Sequence, residues 1–227
     1  MIINLTIKNW MSFHDEAKFS MVASRERQHK ERLPHVPKFQ MRILPIAVTY
    51  GGNASGKTNF FKALSFMKSF IVKGSSPDSL IPIDPFRLDN SNSEKSSSFS
   101  IELLIEGEIY EFSFTVTRKE VIREKLVKVL STKEKTLYSR EGDKITFIDK
   151  LKNNSFLHFA FKGTRNNQLF LTNSVSQKVE EFKSVYDWFR DTLELIAPDS
   201  RFSPFEEYLN EGQPLYATMN SILPHLD

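Results

Sequence analysis

The run Gly51-Gly52-Asn53-Ala54-Ser55-Gly56-Lys57-Thr58 constrains this chain more than any other stretch. It fits G-x-x-x-x-G-K-[ST] without a mismatch, and a chance match in a chain of this composition is roughly a one-in-a-few-hundred event. Three of the chain's eight glycines fall inside it. Glycine lets the backbone turn closely enough for successive N–H groups to point inward as an anion nest. A helix starting near Gly56 adds the positive end of its dipole. Lys57 then supplies an ammonium for the β- and γ-phosphates of a nucleotide, and Thr58 a hydroxyl for Mg²⁺. The mechanism requires a strand leading in and a helix leading out. Ile43–Tyr50 is a nearly continuous apolar run, which predicts a strand buried on both faces. Beyond the loop, Phe60, Phe61, Leu64, Met67, Phe70 and Ile71 recur at helical spacing until Lys73-Gly74 and Pro77 stop them.

The rest of the chain changes period. Ile2–Ile7 alternates and is β-branched, predicting a strand; a second short one covers about Ala17 to Met21. Ala23–Gln40, charged and carrying Pro34 and Pro37, reads as a loop, and Ser91–Ser98 as a serine-rich one. From Phe99 the period is two, over Phe99–Ile105, Ile109–Val116, Val121–Leu130, Thr136–Arg140 and Lys144–Ile148, an antiparallel meander. Glu106-Gly107-Glu108 and Glu141-Gly142-Asp143 are its hairpin turns. Leu157–Phe161 and Gln168–Thr172 look like further strands. Ser174-Val175-Ser176-Gln177 has the form of a capping box, opening a helix through Ile196 before Pro198. Pro204 to Gly212 and Pro214 to Leu223 read as two last helices.

Composition narrows the class. The chain has 227 residues, 40% hydrophobic and 26% charged, as in an ordinary globular protein. It has no 18-residue apolar run and no basic leader before an apolar stretch, so a soluble, cytoplasmic protein without membrane contact is expected. Cysteine is absent, which excludes disulfides and thiolate chemistry. The net charge of +3 is modest. Its excess concentrates between Ser24 and Arg42 and between Arg118 and Lys135, enough for phosphate contacts in principle, although a solvated loop and sheet face is the plainer reading.

Hydrolysis would need an acidic residue after an apolar strand. No run of four apolar residues followed by Asp-Glu exists. Asp149, after Ile145-Thr146-Phe147-Ile148, reads as a turn residue, and Asp84 and Asp89 lack a preceding strand. No catalytic base is named.

Ile3-Asn4-Leu5-Thr6-Ile7-Lys8-Asn9-Trp10, followed after a loop by Tyr50-Gly51-Gly52-Asn53-Ala54-Ser55-Gly56-Lys57-Thr58-Asn59, resembles the N-terminal lobe of ABC/SMC-like ATPases. It is most similar to the bacterial AAA-type ATP-binding proteins of phage-defence and abortive-infection systems. Ile83-Asp84-Pro85-Phe86-Arg87-Leu88 and Gln168-Leu169-Phe170-Leu171-Thr172 also resemble that family; Met11 stands where it often has Lys or Arg. The resemblance implies an α/β P-loop NTPase lobe with a mixed sheet. A strand–P-loop–helix core (1–72), an antiparallel meander (99–150) and a helical part (174–227) would make it up. It implies ATP and Mg²⁺ as cofactors and a nucleotide site of Gly51, Gly52, Asn53, Ala54, Ser55, Gly56, Lys57, Thr58 and Asn59, bordered by Ser12. Gln168 or Gln177 would sense Mg²⁺ beside Thr58, and Trp10 would lie against adenine or in the core.

Family members of this kind close as head-to-tail dimers around ATP. The serine–glycine signature, the Asp-Glu pair and the switch histidine that complete such a site are missing here, and His225 lacks the strand context. The expectation is the N-terminal portion of a longer ATPase, or one piece of a split one, controlling an effector such as a nuclease. Two alternatives stay open: a self-contained P-loop kinase or hydrolase, and a nucleic-acid-binding module with regulatory ATP.

Overall fold

A computed structural model describes residues 1–24, 30–88 and 95–197. Met1–Glu194 forms one compact unit; Leu195–Asp227 forms a second, of which only 195–197 are described. The expected helices after Pro204 and Pro214, with Asp89 and His225, lie outside the described residues.

Seven antiparallel strands form the frame: β1 (Ile2–Lys8), β2 (Ala17–Ser20), β5 (Ser97–Ile105), β6 (Glu108–Val116), β7 (Val121–Val129), β8 (Glu134–Glu141) and β9 (Lys144–Phe147). They lie in the order β2-β1-β5-β6-β7-β8-β9. The meander is therefore as the alternation predicts, with the N-terminal strand inserted beside β5. Glu106 and Gly107 both take positive φ (51° and 79°), the geometry of a two-residue hairpin turn whose twist suits the strands it joins. A two-stranded ribbon, β3 (His35–Val36) and β4 (Met41–Arg42), covers Ile3 and Ile109 with Val36 and Ile43.

Residues on the other face of the sheet build the main core. The register aligns Ile7, Phe99, Phe114, Glu124 and Arg140 in one row across five strands. Onto this face packs α1 (Lys57–Val72), whose buried residues Ala63, Phe66, Met67, Phe70 and Ile71 recur three and four apart. Phe66 stacks on Trp10 at 5.1 Å and meets Phe99 at 5.1 Å; Phe70 meets Phe114 at 5.7 Å. Trp10 is thus a core residue.

The apolar run Ile43–Tyr50 does not form the expected buried strand. Ile43 bridges Val22, and pairing stops where the Leu44 N–H donates to the Met21 carbonyl. Ile46, Val48 and Tyr50 are 75%, 79% and 91% exposed. A strand is buried on both faces only between neighbouring strands and covering layers. No described strand lies beside 45–50, so every ladder in the described sheets is antiparallel.

Four further corrections concern the helical layer. Leu157–Phe161 is not a strand but part of α3 (Ser155–Lys162), because Asn154 Oδ1 accepts from the Phe156 and Leu157 N–H groups and starts a helix. Gln168–Thr172 likewise enters α4 (Phe170–Ser176). The Ser174 capping box is absent, since the Ser174 hydroxyl donates back to the Leu171 carbonyl in mid-helix. Lys178, at φ 64°, interrupts the long helix expected through Ile196, leaving α5 (Lys183–Asp187) and a π-helical turn at Trp188–Thr192. Asp149 opens the four-residue α2 (Asp149–Lys152).

What starts α4 is a carboxylate from the sheet. Glu124, with 0% exposure, accepts from the Phe170 and Leu171 N–H groups at 2.6 and 2.8 Å and from the Tyr138 hydroxyl at 2.8 Å. Arg140, 2% exposed, lies 3.7 Å away and donates to the Gln168 carbonyl at 2.7 Å. Burial pushes the Glu124 carboxyl above its ordinary range, while Arg140 and the three donors pull it back. Removing the charge from one partner of a buried pair leaves the other uncompensated, at a cost of about 3–5 kcal/mol. Glu124→Gln is expected to lose that much in urea denaturation, and Asp143→Asn, at an exposed turn, less than about 0.5 kcal/mol.

Candidate phosphate-binding site

Gly51–Thr58 leads into α1 as the motif requires. Gly56 caps the helix at φ 95°, in the left-handed region where only glycine is unstrained, and no side chain caps the first turn. The Phe60 N–H reaches the Gly56 carbonyl at 3.0 Å. The N–H groups of Lys57, Thr58 and Asn59 belong to the first turn and have no acceptor within the helix. That end of α1 is a place where anionic oxygens replace water at little cost.

Lys57 folds back over the loop. Its Nζ donates to the Gly51 and Gly52 carbonyls at 2.8 and 2.7 Å and lies 3.3 Å from Ser55 Oγ. The ammonium thus sits in the mouth of the loop. A Cβ on Gly51 would come within 2.9 Å of Ser55 Oγ, so a side chain there would require the Ser55 hydroxyl to turn aside.

The Asn9–Phe13 loop lies against this helix start. Asn59 Nδ2 donates to Ser12 Oγ at 3.0 Å, and Trp10 Nε1 donates to the Asn59 carbonyl at 3.1 Å. Ser12 Oγ stands 2.9 Å from where a Gly56 Cβ would be. Ser12 and Asn59 are therefore gathered with Gly51–Thr58. Beside them lies a cavity of about 290 Å³ lined by Phe13, Lys18, Phe19, Tyr50, Lys57 and Phe60 among others. No carboxylate among the described residues lines it.

Gln168 and Gln177 are not part of this site. Gln168 approaches Gly74, just past the C-terminal end of α1, and its carbonyl binds Arg140. A 16-residue helix spans about 24 Å, so Gln168 lies that far from Lys57. Gln177 is the C-cap of α4, which is tied to the same far end by Thr172 Oγ1 donating to the Ile71 carbonyl. Neither reaches a metal held at Thr58. Asp84 is engaged by Arg87 at 2.6 Å, and its carbonyl accepts the Met11 N–H.

Residues 46–220, about three quarters of the chain, match the protein family described as "AAA domain, putative AbiEii toxin, Type IV TA system". The chain belongs to this family. It is accordingly a P-loop ATPase domain of AAA type, a class that binds nucleotide, usually with Mg²⁺. A search of the curated proteins finds no match. No helix among the described residues is long and apolar enough to cross a membrane.

Sequence reasoning missed the Glu124–Arg140 pair, which sits among charged residues and reads as a solvated face. Its parity with Leu126 and Tyr138 on their strands was the available signal.

Gly56→Ala would force a side chain into the left-handed region and against Ser12, an expected loss of about 1–3 kcal/mol in thermal or urea unfolding. Gly52→Ala, with open space around the added Cβ, should change stability by less than about 0.5 kcal/mol.

Proposed function

We propose that this domain binds ATP with Mg²⁺ at Gly51–Thr58 and uses the bound nucleotide to join a second surface, so that ATP controls a partner effector. The observation that carries this reading is the Lys57 ammonium held in the mouth of a glycine-cornered loop at an uncapped helix start. The residues fit the cofactor. Backbone N–H groups of the first turn would meet phosphate oxygens, and Lys57 would exchange its two carbonyls for the β- and γ-phosphates. Thr58, exposed at the same end, would offer its hydroxyl to Mg²⁺, which supplies charge neutralisation on the phosphates when bound. Phe13, Phe19 and Tyr50 would give the base an apolar wall.

Two features support closure against a second surface. The loop residues Gly51–Ser55 are exposed, so the phosphates would be open to water on one side. Ile46, Val48 and Tyr50 form a bare apolar strip leading into that loop. A head-to-tail arrangement of two copies would cover the open side. The family description, with its toxin and type IV toxin–antitoxin terms, favours an abortive-infection or antiphage setting, with an effector such as a nuclease under nucleotide control. Without a carboxylate at the cavity, the 227 residues alone would bind ATP and turn it over negligibly.

Calorimetric titration of ATP and Mg²⁺ into the wild type and Lys57→Ala decides the first claim. The expected result is a loss of at least about tenfold in affinity, the size of a removed charged contact to phosphate. Equal binding by both proteins would remove the loop assignment. Phe13→Ala should weaken binding by up to about tenfold through the lost ring contact. Steady phosphate release by the isolated chain would favour a self-contained hydrolase instead.

A further inference from the structure

A larger cavity, about 600 Å³, lies away from the loop. Its walls come from three separate stretches: Leu80, Ile83, Pro85 and Arg87 on the connection after α1; Lys95 before β5; and Thr117–Glu120 at the turn between β6 and β7. The main chain fixes these walls together. The Ile81 N–H donates to the Arg118 carbonyl at 2.7 Å, and the turn is closed by Thr117 Oγ1, which accepts from the Lys119 and Glu120 N–H groups. Asn9 joins the other two walls, its Nδ2 donating to the Lys95 and Ser96 carbonyls and its Oδ1 accepting from the Phe86 N–H. The shape is therefore built into the fold.

Among the described residues the lining carries Arg87, Lys95, Arg118 and Lys119 against the carboxylate of Glu120, with Arg87 also paired to Asp84 at 2.6 Å. The cations sit around the rim on apolar walls of Leu80, Ile83 and Pro85, and Arg118 and Lys119 are exposed. A site for one small anion needs buried donors converging on a point. Here the basic residues are exposed and spread over three stretches of chain, an arrangement suited to a run of phosphates. Among the described residues no aromatic side chain lines the cavity, so bases find no stacking partner on these walls and an unpaired strand gains little.

We propose that this groove binds the phosphodiester backbone of duplex nucleic acid, independently of sequence. Contacts confined to phosphates release counterions, with no base read. This site is separate from the nucleotide loop, and neither reading depends on the other.

The test uses the full chain with fluorescein-labelled 30-base-pair DNA and RNA duplexes and the matching single strands, read by anisotropy across a salt series. Three phosphate contacts would lower affinity about fortyfold between 50 and 200 mM salt. The double variant Arg118→Ala/Lys119→Ala should weaken duplex binding at least about tenfold and reduce the salt slope by about 1.8. Lys133→Ala/Lys135→Ala, at the β7–β8 turn and the start of β8, should stay within about twofold. Circular dichroism melting would show all proteins folded, since Arg118, Lys119 and Lys133 are exposed at turns and Lys135 is only half-buried at the start of β8. Lys57→Ala should bind duplex as the wild type does, which separates failure here from failure of the ATP site. Equal retention of DNA and RNA would leave the shared backbone as the ligand, and retention of one would name it. Absence of salt-dependent binding, equal losses from both lysine-containing pairs, tighter binding of single strands, or binding of linear polyphosphate without either duplex would overturn the proposal.

Discussion

The fold hangs on a buried carboxylate. Glu124 sits on the sheet where the row Ile7–Phe99–Phe114 would otherwise continue apolar, and it meets the free N–H groups at the start of α4. A short helix of seven residues has little stability of its own; this one is begun by an anion from another element, at the end where its dipole welcomes one. Arg140 keeps that anion from being an isolated buried charge, and Tyr138 brings a third donor to it. Around the polar knot pack Phe170, Phe182, Phe147 and Phe161, several edge to face, which excludes the water that would weaken it.

From α4 the constraint passes to α1. Thr172 and Tyr186 donate to the Ile71 and Val72 carbonyls and so satisfy the C-terminal end of α1 from outside. Trp10 and Ser12 hold the opposite end through Asn59. The helix that presents Lys57 is thus secured to the sheet at both ends and through Phe66 and Phe70 between them. The N–H groups of its first turn are thereby held in place by the fold itself. Lys57 plays the complementary part. Its two carbonyl partners, Gly51 and Gly52, hold the ammonium over the loop.

What the sequence made legible was local. The meander followed from strict alternation, and the Glu106-Gly107 turn from a glycine set between two alternating runs. The loop and α1 followed from a motif and a helical period. The failures share one cause, a partner remote in sequence. Gln168–Thr172 and Leu157–Phe161 are apolar runs too short for period to separate strand from helix. Their states were decided by Glu124, 46 residues from Phe170, and by Asn154. Ile43–Tyr50 has the composition of a buried strand, yet burial belongs to neighbours and not to composition. Gln168 looked like a metal ligand by its place after the meander, but chain order does not say at which end of α1 a residue arrives.

Asn9 shows how much one residue can settle when its backbone is forced. It holds φ 50°, a conformation that asparagine tolerates better than most residues, and it is 5% exposed. Its side chain satisfies the three backbone groups of 86, 95 and 96, while its carbonyl takes the Ser97 hydroxyl. Two residues on, the Met11 N–H binds the Asp84 carbonyl, and the next residue, Ser12, meets Asn59. One five-residue bend therefore serves both as a wall of the nucleotide loop and as the clasp of the basic groove. An apolar residue at Asn9 would leave donors and acceptors unpaired on two segments at once, so the walls of the basic groove are joined by a single polar side chain, while the backbone bend it stabilises carries Ser12 to Asn59.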